Sequence, residues 1–169
     1  VTNNVTTTVL DLFDLHADGV YTLGYRLLGD RHLAEDIVQD TFLSALRSIL
    51  SYRGEGPIEA WLYRIAYRTA IAQQRKRRDF PTDPVDMIDL AGAGSADVER
   101  SVLTLELAAA LDRAIQELTP PLKAAFILRQ IEGLSTRDVA HVLDVSESSV
   151  KMRLARARAT LRAELKGYL

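Results

Sequence analysis

Between residues 145 and 162 the chain reads VSESSVKMRLARARATLR, where Lys151, Arg153, Arg156, Arg158 and Arg162 face a single acid, Glu147. At helical spacing, Ser148, Ser149, Met152, Ala155 and Ala159 fall on one face between these cations, opposite an apolar stripe of Val150, Leu154, Ala157, Leu161 and Leu165. Small side chains between basic flanks allow a helix to enter a major groove, where Arg and Lys reach phosphates or guanine edges. A charged surface helix is the plainer reading. A second stretch, PIEAWLYRIAYRTAIAQQRKRR (57–78), interleaves Tyr63 and Tyr67 with Arg64, Arg68 and Arg75 and ends in a run of four cations. Rings among arginines suit single-stranded nucleic acid, because bases stack while guanidinium groups follow the backbone. The tyrosines could equally pad a core edge, with the cations at a helix end that favours them. In a third stretch, LAEDIVQDTFLSALRSI (33–49), Asp36, Gln39, Asp40 and Leu43 share an outer face, with Ala34, Val38, Thr41, Phe42, Ala45 and Ile49 behind it. An exposed leucine among acids is a docking face for another protein or an ordinary surface leucine.

Catalytic chemistry finds little support. His16, His32 and His141 are scattered, and neither a glycine-rich phosphate loop nor a metal-ligand spacing is present. The chain has no cysteine, which removes disulfides, zinc-thiolate sites and a thiol nucleophile and suits a reducing compartment. We therefore expect no enzyme, no catalytic residue, no cofactor and no metal. Composition points to a soluble protein with one moderate core or two small ones: 169 residues, 47% hydrophobic, formal charge −2. No apolar run reaches membrane-spanning length, and the opening VTNNVTTT lacks the features of a signal peptide, so a cytoplasmic location without membrane insertion is expected.

The elements that must hold these residues are all helical. Every long periodic stretch has helical spacing, and helices are predicted near 9–28, 31–50, 57–78, 98–118, 121–132, 136–143 and 147–165. Between the third and fourth lies DFPTDPVDMIDLAGAGSADVE, with two prolines, two glycines and six acids, which reads as a flexible acidic linker. The expected fold is all-α: two small helical domains, 1–78 and 98–169, joined by a linker over 79–97. In the second domain, Gly133 ends one helix and Ser135 or Thr136 caps a short one bearing Val139, Ala140 and Leu143. Asp144 then takes a left-handed turn position and Ser146 caps the next helix. That is a helix-turn-helix.

AEDIVQDTFLSAL, AWLYRIAYR with QQRKRR, and LTPPLKAAFILRQIEGLSTRDVAHVLDVSESSVKMRLARARATLR occur in this order around an acidic linker. Together they resemble the extracytoplasmic-function sigma factors of bacterial RNA polymerase, in the sigma-70 family. The resemblance implies promoter-specific transcription initiation by a chain that binds core RNA polymerase and promoter DNA, with an anti-sigma factor as a further partner. It implies a polymerase-binding set of Asp36, Gln39, Asp40 and Leu43. It implies a −10 single-strand set of Tyr52, Arg53, Tyr63, Arg64, Tyr67, Arg68 and Arg75, and a −35 duplex set of Ser146, Ser148, Ser149, Lys151, Met152, Arg153 and Arg156. The linker would lie along the RNA exit path.

Three positions depart from the family pattern: Arg68 where relatives often carry Asn, Ala72 where they carry Asp, and Asp144 where glycine is frequent. The first two bear on the −10 contacts; the third costs little, since Asp tolerates left-handed backbone. The chain's end soon after the second domain leads us to expect no appended regulatory domain. A free-standing helix-turn-helix regulator is the alternative. It accounts for 133–162 but leaves the Asp36–Leu43 face and the aromatic-basic helix without a purpose.

Overall fold

Apolar residues recurring every three or four positions bury one side of each helix, and the chain folds accordingly. The structure, a computed structural model, describes the backbone of residues 2–79 and 98–168 and the side chains of 8–79 and 104–168. Seven α-helices occupy these residues: α1 Thr2–Leu28, α2 Arg31–Ser48, α3 Ile58–Asp79, α4 Val98–Glu117, α5 Pro120–Phe126, α6 Thr136–Leu143 and α7 Glu147–Glu164. Ile49–Ser51 forms a 3-10 turn and Ile127–Ile131 a π-helical turn, and no strand occurs among the described residues. The expected linker, Asp79 apart, lies outside them. The first helix starts at Thr2 instead of 9, and the helix expected over 121–132 is divided by its π turn.

Local chemistry sets the boundaries. Gly29 turns the chain with φ 67, and Asp30 caps α2 by accepting from the Leu33 N–H at 3.0 Å. From the far end of α3, Arg77 donates to the Leu28 carbonyl at 2.7 Å and faces Asp30 at 3.8 Å, tying three helices at one corner. Pro120 opens α5, and buried Lys123 turns its ammonium onto the Gln116 carbonyl near the end of α4 at 2.8 Å. Ser135 caps α6, Asp144 adopts φ 55 and ψ 50, and Ser146 caps α7, which builds the expected turn between α6 and α7.

Burial departs from the stripe expected over α2, and it fixes which side of α3 faces the core. In α2 Ile37 is fully buried while Val38, and Ile49 in the 3-10 turn that follows, are half-exposed. In α3 the buried side is Ala60, Leu62, Tyr63, Ala66 and Ala70, whereas Ile58, Trp61, Ile65 and Thr69 are only partly covered. A stripe of alanines lets neighbouring helices approach closely, so the side of α3 that carries Tyr63 is enclosed, the second of the two readings its sequence left open.

The two halves of the chain share a core. Val20, Leu23, Ile37 and Leu62 from the first three helices belong to one buried cluster with Ile127, Leu128, Val139, Val142, Val150 and Leu154. A smaller cluster of Ala114, Ile115, Leu118, Ala157 and Leu161 fastens α4 to α7. Each fully buried Val, Leu or Ile among these contributes roughly 1.5–3 kcal/mol. No helix among the described residues is long and apolar enough to cross a membrane.

Candidate nucleic-acid and docking surfaces

The cap on α7 exposes the start of its basic face. Ser146 accepts from the Ser149 N–H at 3.1 Å, and its hydroxyl lies 2.9 Å from that of Ser148. Val150, Leu154, Ala157 and Leu161 point into the core, so the opposite face is solvent-facing as the spacing requires. Ser146, Ser148, Lys151, Met152 and Arg156 are exposed, Met152 at 53%, and Ser149 is half-buried. Arg153 differs. It is half-buried and close enough to Tyr67 of α3 to pull that phenol's pKa down, although burial outweighs it and leaves the pKa raised. Small, polar and cationic side chains on one convex helix are a surface a DNA major groove can accept.

The single-strand set is only partly assembled. Tyr52, Arg53, Arg64 and Arg68 converge on one groove of about 290 Å³, together with Ser51, Glu55, Trp61 and Ile65. Its geometry comes from the turn after α2: the Tyr52 hydroxyl donates to the Gly56 carbonyl, and the Tyr52 ring lies 5.5 Å from that of Trp61. Gly54 and Gly56 adopt φ 73 and 88, which keeps this loop tight where a side chain would be strained. Three guanidinium groups beside two aromatic rings are suited to phosphate and base together. Arg75 is exposed two helical turns beyond Arg68 and does not line this groove.

Tyr63 and Tyr67 do not form the exposed platform that their four-residue spacing suggests. Tyr63 is 2% exposed, its hydroxyl donates to Glu132 Oε2 at 2.6 Å, and His16 meets its ring edge-on. Burial, followed by the Glu132 hydrogen bond and charge, drives the Tyr63 pKa far above the ordinary phenol value. Tyr67 is half-buried against the core. The reason is tertiary: α6 packs against α3, Glu132 after the π turn bonds the Tyr63 hydroxyl and His16 of α1 meets its ring, and the periodicity of α3 carries no record of them. Of the terminal cations, Arg77 is also withdrawn, being spent on the Leu28 carbonyl and Asp30.

On α2, Asp36, Gln39, Asp40 and Leu43 are all exposed, Leu43 at 43%. Leu46 and Leu50 extend the apolar part of this surface, and neither was singled out from the sequence. Two further residues were missed. His141 is exposed but forms a wall of the α3 groove, its ring nitrogens 3.1 and 3.4 Å from Arg64 Nη1. Glu132, the partner of Tyr63, precedes Gly133 at a helix end, a position with no sequence signal of function. Among the described residues no three His, Asp or Glu side chains converge as metal ligands.

Residues 12–80 match the family described as Sigma-70 region 2, and residues 108–161 that described as Sigma-70, region 4. The chain is similar to the ECF RNA polymerase sigma factor SigW of Bacillus subtilis, 32% identical over 164 residues that cover 92% of this chain and 88% of SigW. It is 35% identical over 153 residues to the ECF RNA polymerase sigma factor SigE of Mycolicibacterium smegmatis, covering 90% of this chain but only 59% of SigE. Among solved structures, the sigma factor RpoE in complex with the anti-sigma factor NepR from Bartonella quintana is similar with a TM-score of 0.75 at 25% identity, over 92% of this chain and 95% of the matched one.

Proposed function

Since this chain belongs to the extracytoplasmic-function sigma factors of the sigma-70 family, we propose that it binds bacterial core RNA polymerase and directs it to promoters by recognising −35 and −10 elements. The observation that carries this is the presence of both regions, in order, on one chain: a free-standing helix-turn-helix regulator has no use for the first. Residues 1–78 act as the polymerase and −10 module and 98–169 as the −35 module, with 79–97 between them. In the −35 module, α7 lies in the major groove, and Lys151, Arg153 and Arg156 neutralise phosphates or read guanine edges while Ser146, Ser148, Ser149 and Met152 pack against the groove floor. In the −10 module, Tyr52 offers a ring and Arg53, Arg64 and Arg68 hold the unpaired strand, with Arg75 further along its backbone. Tyr63 and Tyr67 join them only if α3 is uncovered.

Trapping unpaired bases offsets the stacking and pairing lost on opening, so the chain promotes melting without performing chemistry; phosphodiester formation belongs to the polymerase. Asp36, Gln39, Asp40 and Leu43 dock on the polymerase. The work takes place in the cytoplasm, where an anti-sigma factor, such as the one bound to the similar RpoE, restrains the chain. The test is reconstitution. Purified chain mixed with core polymerase is expected to form a stable complex that starts transcription at defined sites on a genomic fragment library. Sequence-specific DNA binding by the chain alone, with no complex formed with core, would overturn the proposal in favour of a free-standing regulator.

A further inference from the structure

Four arginines around one cleft have no carboxylate partner. Arg53, Arg64 and Arg68 line the groove of about 290 Å³ described above, and a second cavity of about 420 Å³ shares Glu55 and His141 with it and reaches Arg137 of α6. Among the described residues no ion pair engages any of the four. Of the two acids at the cleft, Asp138 accepts from the Ser135 hydroxyl at 2.6 Å and Glu55 is exposed. Arg64 is incompletely satisfied: its Nη1 lies 3.1 Å from a His141 ring nitrogen, and its Nε is buried without a hydrogen-bond partner. A partly desolvated cation of this kind is costly, and a bound anion offsets that cost. Aromatic surface adjoins the cations. Tyr52 and Trp61 line the first cavity, and the Tyr52 ring is fixed there by the bond from its hydroxyl to the Gly56 carbonyl. Rings beside guanidinium groups take up a base and its phosphates together. Taken together, the two cavities fall within the range of about 300–1,000 Å³ that encloses small-molecule ligands. Because α6 contributes His141 and Arg137 as walls, the cleft suits one nucleotide with its phosphates better than a continuous strand.

We propose that this cleft binds a free nucleoside 5′-polyphosphate, with its base against the Tyr52 and Trp61 rings and its phosphates among Arg53, Arg64, Arg68 and Arg137. Charge sets the number of phosphates. A single phosphate carries at most about −2 against four guanidinium groups, so a chain of phosphates matches the site better. The site shares Arg53, Arg64 and Arg68 with the groove read above as holding the unpaired −10 strand, so nucleotide and strand exclude each other. That competition rests on the −10 reading; the nucleotide site does not. Through it, promoter opening responds to the concentration of free nucleotide.

Trp61 is the only tryptophan in the chain, so its fluorescence reports occupancy of the cleft. The full chain is titrated with ATP and GTP, and for comparison with adenosine, guanosine and inorganic pyrophosphate, by Trp61 fluorescence and by calorimetry. Saturable quenching by ATP or GTP is expected. Its calorimetric affinity should be at least roughly tenfold tighter than that of the matching nucleoside or of pyrophosphate, since charge-assisted bonds and stacking each contribute that much. Arg53→Ala and Arg137→Ala lie at exposed positions and remove no hydrogen bond or ion pair seen among the described residues, so circular dichroism should report an unchanged fold. Each is expected to weaken nucleotide binding by roughly tenfold. Arg137→Ala is the sharper test, because Arg137 belongs to the cleft and not to the −10 set. No saturable binding at millimolar ATP or GTP, equal affinity for nucleoside and nucleotide, or unchanged affinity in both variants overturns the site. Pyrophosphate binding as tightly as the nucleotides overturns it too, leaving an unspecific anion site. A second arm follows displacement of a labelled single-stranded −10 oligonucleotide, expected at the nucleotide concentration that quenches Trp61. Oligonucleotide that stays bound overturns the competition, whereas quenching by nucleotide in a chain that binds no oligonucleotide supports the site and counts against the −10 reading alone.

Discussion

Thr41 sits fully buried in α2 with a hydroxyl that meets no hydrogen-bond partner. An unpaired buried hydroxyl is costly, and valine has nearly the same shape without it, so Thr41→Val is expected to raise unfolding free energy by about 1 kcal/mol in a urea titration. Arg75 and Arg77 are two residues apart and differ in role. Arg77→Ala removes a charged hydrogen bond to the Leu28 carbonyl and is expected to cost roughly 1–2 kcal/mol of stability. Arg75→Ala should leave the melting temperature in place while lowering the affinity and the salt dependence of single-stranded DNA binding. Tyr63 and Tyr67 both hold their protons above the ordinary phenol value of 10.0, burial being the first cause in each. A group with a raised folded pKa contributes stability that is present below its unfolded value and lost above it. Stability is therefore expected to fall as pH rises past about 10, and a tyrosinate absorbance titration should show these two phenols ionising late, one fewer in Tyr63→Phe.

Among the helices, α7 shows how little sequence is needed to aim a surface. Ser146 satisfies the Ser149 N–H, and four buried apolar residues set the rotation, so every exposed position follows from helical geometry. Ser146→Ala is expected to cost about 1 kcal/mol of stability and to weaken −35 duplex binding through fraying of the first turn. The outer face of α2 carries a different expectation. Leu43→Glu places a charge where an apolar anchor would dock, and should weaken core polymerase binding by about 2 kcal/mol or more with helix content unchanged. Normal core binding by that variant would remove the Asp36–Leu43 face from the interface.

With one buried cluster running through both halves, the chain should unfold as a single cooperative unit. Calorimetry on the unmodified chain is expected to show one transition. Glu132→Ala, by weakening the contact between halves that each retain apolar packing, should broaden or split it. A single sharp transition in Glu132→Ala would show that the shared apolar core alone holds the halves together.

Helix periodicity, caps and turn residues were legible in the linear chain because each depends on neighbours within about four positions. The all-α class, the helix-turn-helix built on Ser135, Asp144 and Ser146, and the exposed faces of α2 and α7 all follow from such local rules. The Arg64 groove and the fate of Tyr63 do not, since they depend on which helix covers which. Tyr63 and Arg64 are adjacent, yet one is enclosed by Glu132 and His16 while the other lines a groove completed by His141. Spacing of four residues reports only that two side chains share a face. Whether that face meets solvent, DNA or another helix is decided by contacts 69 and 77 residues away along the chain, as in Tyr63–Glu132 and Arg64–His141, and only the folded molecule brings those together.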